Sequence, residues 1–548
     1  MRELLWEQLR GEFDLLVIGG GATGAGVALS AARRGLRVAL VERHDFSEGT
    51  SSRSTKLIHG GIRYLELCFR SGDLRHLRLV AEALQERHWL LHWAPHLIHG
   101  LWLVTPCRNL PERCYYSAGV QLYDLLAGKA RLHRPRYLSA EALAVWLAGL
   151  QAPAGGVAFP DGQFDDARFN WELIRTAVAQ GALAVNHVEV VALEQRHGRV
   201  CGAVVRDRLS GETRSLAARL VVNAAGPFAD AIRRLADPHA EPILQTSAGA
   251  HLVLRATPAG VEDVSSAALP VPRCGLLIPH TEDRRVVFLL PWYGHWLLGT
   301  TDVAVPPSDY PTVSPAEVEY LLRQVRPYVA NVDSMTITAR WSGIRPLVRS
   351  QQSNTAQTVR EHCIEELRGL VTLVGGKWTT FRVMAEELLD WLHSRGWRWR
   401  RASTWPPPFS ATPLTTSSAK LQSTPHSSPG SLSNSQFREA TDEDVRRHLR
   451  QYGRQAATVL ELSRDFPGRL LEGWPYLRAE VVFATRYEMA RMPLDFLARR
   501  IRLAFLDTNA TLRALPEVVR LMAKELGWSA PQAETMQSQA RQRLQAGV

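Results

Sequence analysis

Residues 14 to 18, DLLVI, read as a short buried strand, with an apolar run from Leu15 on. GGGATGAG follows at once, and from Ala22 to about Arg34 small and apolar residues dominate until Gly35. That pattern predicts a helix packed closely on a sheet. RVALVE, Arg37 to Glu42, then predicts the second parallel strand, so the segment reads as a βαβ unit. Leu74 to Trp93 and Asp166 to Gln180 carry helical periodicity, whereas VVFLLPW (Val286 to Trp292) and WLLGTTDV (Trp296 to Val303) are β-rich. RLVVNAAG (Arg219 to Gly226) and GLVTLVGG (Gly369 to Gly376) look like strands returning to the first sheet. The second of these runs into a helix beginning near Thr379.

Such interleaving predicts discontinuous domains. The expected class is α/β plus α: a Rossmann-like dinucleotide-binding domain, an interleaved mixed-sheet substrate domain and a C-terminal helical domain. Within a region spanning 13–400, the cofactor-binding parts fall at about 13–75, 155–230 and 340–395. The substrate-binding parts fall at about 76–154 and 231–339. Residues 402–436 are rich in Ser, Thr and Pro and cannot bury much apolar surface, so they read as a linker. Helical patterning resumes at Thr441 and Asp444, giving a C-terminal helical domain at 437–548.

With 548 residues, 45% hydrophobic and 22% charged, the chain suits a folded protein of two or three domains. No stretch approaches eighteen uninterrupted apolar residues, so any membrane contact is expected to be peripheral. The formal charge of +11 favours acidic partners such as anionic lipid, nucleic acid or a phosphorylated metabolite, or describes only a solvated basic surface. Six cysteines (Cys68, Cys107, Cys114, Cys201, Cys274, Cys363) show no CxxC and no zinc-type pairing, which suits a reducing compartment and no metal site. Glu3, Glu7 and Glu12 precede the first strand, unlike a signal or transit peptide.

Gly19, Gly21 and Gly24 satisfy GxGxxG between strand and helix, the pattern that lets a backbone approach a pyrophosphate at a helix N-terminus. Glu42, eighteen residues after Gly24, can accept ribose hydroxyls, and its carboxylate disfavours a 2′-phosphate. TSSRSTKLIHGGIRYLE, Thr50 to Glu66, crowds hydroxyls, Lys56, His59, two glycines and Arg63 into one loop. A loop of that composition can bond a long cofactor's pyrophosphate and carry a basic group to its reacting end, which points to FAD.

TSSRSTKLIHGGIRYLE, DGQFDDAR (Asp161 to Arg168), VVNAAGPFAD (Val221 to Asp230), SAGAHLVL (Ser247 to Leu254), WSGIRPLV (Trp341 to Val348) and GGKWTTFR (Gly375 to Arg382) resemble the FAD-dependent glycerol-3-phosphate dehydrogenases. Within that family they look most like the mitochondrial, quinone-reducing form. The resemblance runs from about residue 13 to 390 and resumes at about 475 to 528. It implies an enzyme that oxidises sn-glycerol 3-phosphate to dihydroxyacetone phosphate and passes electrons from FADH₂ to ubiquinone. The implied setting is the mitochondrial inner membrane, bound peripherally, or else a bacterial cytoplasmic membrane. A homodimer is compatible with it, and no nucleic acid is implied.

By the same resemblance Gly19, Gly21, Gly24 and Glu42 hold the ADP half of FAD. Ser52, Ser54, Lys56, Leu57 and Ile58 fall where the family loop contacts the cofactor, and Val188 sits at an adenine contact. Gly376, Lys377 and Thr379 open a helix whose dipole favours negative charge on reduced flavin. Arg63, Arg360 and Lys377 match basic positions for the phosphate, with Tyr64 and Thr301 as neutral donors. His251 and Arg345 match the positions nearest the hydride transfer, the histidine as general base and the arginine polarising the oxygen at C2.

Three other readings stay open on sequence. One is a soluble glycerol-3-phosphate oxidase that uses oxygen. Another is an FAD protein binding RNA, with Arg446, Arg447, Arg450 and Arg454 on successive turns of one helix, a spacing that suits a lipid-facing or solvated helix equally. The third is a scaffold that has lost catalysis, against which stand Arg63, His251, Arg345 and Lys377. No EF-hand loop is present.

Overall fold

A computed structural model describes residues 1–62, 64, 65, 68, 75–146, 150–152, 154–255, 274–279, 281–283, 285–329, 332–349, 362–400 and 442–548. Five strands run parallel in the order Leu370–Gly375, Thr213–Asn223, Glu12–Ile18, Val38–Val41 and Leu183–Val185. His362–Leu367 and the hairpin Val188–Arg196 with Arg199–Asp207 add antiparallel strands, making eight. Leu15, Leu16 and Val17 are all but inaccessible to solvent, which explains why the central strand is apolar without alternation from Leu15 to Ile18. The helix Ala22–Ala32 packs against Asp166–Ala179 and Phe381–Ser394. Its closeness to the sheet depends on Gly24, where an added Cβ would lie 1.9 Å from the Gly19 carbonyl oxygen.

The second sheet has ten strands and is built around the long antiparallel pair Leu244–Arg255 and Thr336–Val348. It continues through His295–Gly299, Val287–Trp292, Cys274–Ile278, Ile98–Pro106 and Gly156–Phe164. Gly156–Phe164 and most of Thr336–Val348 come from segments assigned by sequence to the cofactor parts, yet they lie in this larger sheet. An apolar run announces a strand but not its neighbour. Membership was decided by distant partners such as Trp341 opposite His251 and Val157 opposite Thr105.

The C-terminal helices Arg478–Tyr487, Leu503–Leu506, Thr508–Leu526 and Ala530–Ala546 share one apolar core with the larger sheet. Trp292, Trp341 and Leu290 pack there with Phe496, Phe505 and Leu515, and the Trp341 and Phe505 rings meet edge to face at 5.1 Å. Full burial of one such side chain is worth about 1.5–3 kcal/mol, so several fasten this unit firmly. The expected linker at 402–436 lies outside the described residues. The single helix expected over Arg446 to Arg454 is not continuous: Glu443–Leu449 gives way to a tight turn in which Gly453 takes φ +52°. Among the described residues no helix is long and apolar enough to cross a membrane.

Candidate active site

A cleft of about 370 Å³ opens at the carboxyl ends of four adjacent parallel strands. Its lining follows the sheet order: Gly375 and Gly376 after one strand, Ala224 and Gly226 after the next, Gly19 and Gly21 after the third, Glu42 and Arg43 after the fourth. Three strand spacings make the floor about 14 Å across, long enough for an extended dinucleotide. Val188 lines the Glu42 end, while Ile344, Pro346, Lys377 and Trp378 line the cleft from the other elements.

The groups present fit the cofactor that the sequence suggested. The helix Ala22–Ala32 begins at Gly21 with no side-chain cap, and its first amides sit at the cleft where a pyrophosphate would be received. Ser51 Oγ accepts from the Ala22 amide at 3.0 Å. The Glu42 carboxylate is fixed by the Gly20 amide at 2.7 Å and the His44 amide at 2.9 Å, so it stands rigidly at the nucleoside end. Gly376 takes φ +72°, and a Cβ there would lie 2.4 Å from Met384 Sδ, so the turn towards the helix Phe381–Ser394 requires glycine.

One loop threads the whole site. Thr50, Ser51 and Arg53 line the cleft. Two residues on, Thr55 Oγ1 lies 2.9 Å from His251 Nε2. The Trp378 indole donates to the Ser51 carbonyl at 2.8 Å, and the Thr379 hydroxyl contacts both the amide and the carbonyl of His59 at 3.4 Å. The loop and the Gly375 to Thr380 return are thereby stitched together.

His251 is buried and stacked on Trp341, with ring centroids 4.1 Å apart. Burial, then the charges of Lys56 and Arg345, hold its pKa well below the ordinary histidine value. The ring is therefore neutral at physiological pH and has a lone pair with which to take a proton. Arg345 lies across Thr300 Oγ1 (2.9 Å) and the Thr301 carbonyl (3.0 Å), with Asp302 at 3.3 Å. Gly249 leaves the room that the guanidinium occupies.

Other expected site residues are placed differently from one another. Gly19, Gly21, Glu42, Val188 and Gly376 line the cleft. Ser54 and Lys56 turn their side chains away from it to Asp166, each at 2.7 Å, and Lys56 Nζ also donates to the Ser52 carbonyl. Cofactor contacts from these two would have to come through their backbone. Burial, aided by Arg502 and opposed by Asp166, brings the Lys56 ammonium down to about 7. Leu57 and Ile58 form a short strand paired to Gln163 and Gly162. Lys377 Nζ sits 3.9 Å over the Tyr64 ring, against Gly61. Thr301 is buried, donates its proton to Glu317 at 2.7 Å and accepts from the Ala250 amide at 2.8 Å. Thus it supports the strand beside Arg345 and has no proton left for a substrate. Arg63 and Arg360 lie outside the described residues.

The structure adds groups that the sequence did not single out. Asp45, three residues past Glu42, is buried and bonded by Arg499 at 2.6 Å and Arg500 at 2.8 Å. Glu48 is reached by Arg499 at 3.2 Å and Arg543 at 2.5 Å. Arg502 reaches the Ser52 carbonyl at 2.8 Å and Asp166 at 3.1 Å. The C-terminal unit therefore holds the cofactor loop from beneath. Asp45, His187 and Asp495 together could suit a metal ion, but Arg499, Arg500 and Asn186 already occupy the Asp45 oxygens. No sequence spacing announces these pairs, since the partners stand more than three hundred residues apart.

Comparison with known proteins agrees with this geometry. The family model described as FAD dependent oxidoreductase matches residues 14–391, and that described as the C-terminal domain of alpha-glycerophosphate oxidase matches residues 371–533. A mitochondrial glycerol-3-phosphate dehydrogenase of Arabidopsis thaliana is 40% identical over 553 residues, covering 94% of this chain and 83% of the relative. The mitochondrial glycerol-3-phosphate dehydrogenase of Homo sapiens is 39% identical, covering 96% and 72%. The X-ray structure of the Bacillus halodurans glycerol-3-phosphate dehydrogenase, complexed with FAD, superimposes with a TM-score of 0.73 at 25% identity, covering 100% of this chain and 97% of that one. The chain belongs to the FAD-dependent oxidoreductases and, within them, to the FAD-dependent glycerol-3-phosphate dehydrogenases.

Proposed function

We propose that this chain oxidises sn-glycerol 3-phosphate at C2 to dihydroxyacetone phosphate and delivers the electrons to ubiquinone at a membrane surface. The observation that carries the reading is the loop from Thr50 to Tyr64, which joins an FAD-sized cleft to His251 and to the Lys377 ammonium. FAD, when bound, supplies the hydride acceptor. His251, kept neutral by its surroundings, takes the C2 hydroxyl proton, and Arg345 polarises that oxygen. Lys377, with Tyr64 beside it, meets the phosphate dianion, a role that the family resemblance gives to Arg63 and Arg360 as well. The relatives named above are dehydrogenases, which favours a quinone acceptor over oxygen. Their mitochondrial names favour the inner mitochondrial membrane, and the lack of a spanning helix among the described residues suits peripheral attachment.

Anaerobic mixing of the holoprotein with sn-glycerol 3-phosphate is expected to bleach the flavin absorbance. A spectrum that stays oxidised would sink the reading. Peroxide release outpacing reduction of a ubiquinone analogue in air would shift the acceptor to oxygen.

Lys377→Met tests the phosphate assignment. Losing one charge-assisted donor should raise the KM for glycerol 3-phosphate roughly ten- to hundredfold with FAD content retained. An unchanged KM would remove Lys377 from the phosphate site.

A further inference from the structure

We propose that the face built from the helix Leu110–Ala127, the strand Arg136–Leu138 and the helix Ala140–Trp146 docks on an anionic phospholipid bilayer, an inference that rests on the peripheral-membrane reading above. Of the thirteen large hydrophobic side chains exposed among the described residues, five (Leu110, Tyr115, Leu125, Tyr137 and Val145) fall within residues 110–145. That span is roughly a fifteenth of the chain, so the clustering is not the scatter of single apolar residues that any surface shows.

The arrangement of the first helix sharpens the point. Leu110, Cys114, Ala118, Gln121 and Leu125 follow one another at spacings of four, four, three and four, which lays them in one stripe along the axis. All five are exposed, and none is charged. A helix with a merely solvated outer face carries charges on that stripe. Here the stripe is about 22 Å long at 1.5 Å per residue. The opposite side, with Val120, Tyr123 and Ala127, is buried against the protein, so the outward stripe is fixed in direction.

Basic residues frame the stripe. Between positions 108 and 146 stand six basic side chains (Arg108, Arg113, Lys129, Arg131, Arg134, Arg136) against three acidic ones. Two of the acids, Glu112 and Asp124, are already met by Arg108 at 2.6 Å and Arg131 at 2.8 Å, which leaves four basic side chains against Glu141 and a positive surplus on the face. Arg113 lies 4.7 Å over the Tyr137 ring, and Arg136 lies 4.4 Å over Trp102 and 5.8 Å over Trp146. Those contacts tie helix, strand and short helix into one face. An uncharged stripe, apolar but for Gln121, with tyrosines at its margin and cations around it matches the headgroup boundary, where the stripe meets the acyl region and the cations meet lipid phosphate. Nucleic acid would place the cations in the contact itself.

The test uses the full-length holoprotein and sedimentation with phosphatidylcholine vesicles, with and without phosphatidylserine. Wild type should bind the serine-containing vesicles more tightly, and added salt should weaken the binding. Lys129→Ala with Arg134→Ala should weaken it about thirtyfold, at about fivefold per charge near an anionic surface. Leu125→Glu with Val145→Glu should weaken it at least about tenfold in both vesicle types. Both double variants should keep anaerobic flavin bleaching by glycerol 3-phosphate, which separates loss of docking from loss of the enzyme. Wild type and variants binding alike would overturn this face and leave peripheral attachment standing. Wild type binding no vesicle would overturn both. A dimer in solution that Leu125→Glu with Val145→Glu converts to monomer would assign the face to a second copy and overturn the lipid proposal.

Discussion

Replacing His251 with alanine is expected to slow flavin reduction by glycerol 3-phosphate about 10²- to 10⁴-fold, the usual contribution of a positioned general base. Substrate affinity should change far less, because the ring lies at the proton and not at the phosphate. Stopped-flow mixing reads the two separately, the limiting rate at saturation and the concentration that half saturates it. Alanine leaves a gap beneath Trp341, so His251→Asn serves as a second variant that keeps most of the volume and lacks the base. An unchanged limiting rate in both would remove His251 from the chemistry. The pH profile adds an independent reading. Burial, Lys56 and Arg345 hold the folded pKa below the unfolded one, so the ring remains a competent base as pH falls through the ordinary histidine range. The reduction rate should therefore show no loss at the ordinary value of about 6.5. The same shift makes folding stability present above that value and progressively lost below it, since the unfolded chain takes up the proton first.

The sequence announced what is local. A strand of buried apolar residues, three glycines at fixed spacing and a carboxylate at the end of the next strand lie within thirty residues of one another, and they build one wall of the cleft. The loop from Thr50 was recognisable by composition, and its role as a bridge follows from the short distance between Ser51 and Thr55 along the chain. What escaped was everything decided by pairing at long range. Ser54 and Lys56 look from sequence like cofactor contacts, but Asp166, more than a hundred positions later, draws both inward. Thr301 looks like a donor until Glu317 is seen to hold its proton. The sheet membership of Gly156–Phe164 and Thr336–Val348 was hidden for the same reason.

Asp45→Ala is expected to produce the largest loss of stability, about 3–5 kcal/mol, because it strips the shared partner from two buried guanidinium groups. Arg499 and Arg500 are each 4% exposed or less and both bond the Asp45 carboxylate. Arg499 keeps the Asp495 and Glu48 carboxylates, and Arg500 keeps the Glu488 carbonyl with the Glu488 carboxylate at 3.6 Å, but none of these carboxylates bonds both guanidinium groups as Asp45 does. The consequence should extend to the cofactor, since Asp45, Glu48 and Ser52 belong to the loop whose upper side lines the cleft. Thermal unfolding of the holoprotein would fall, and FAD retention on gel filtration would fall with it. Arg543→Ala supplies the contrast. It touches the same loop through Glu48, but its side chain is 27% exposed, and water can replace it at a cost of about 0–1 kcal/mol. Equal losses from the two substitutions would mean that the buried network does not set the stability of the cofactor loop. The acid limb of stability should report the same network: burial raises the pKa of Glu48 and Asp495, but their cationic neighbours overcome it and hold both below the ordinary carboxylate range. Their contribution is thus present above the unfolded carboxylate pKa and lost as pH falls through the folded values. Asp45→Ala removes a neighbouring anion and leaves more of the arginines' charge to these two carboxylates, so in that variant the loss should extend to lower pH than in wild type.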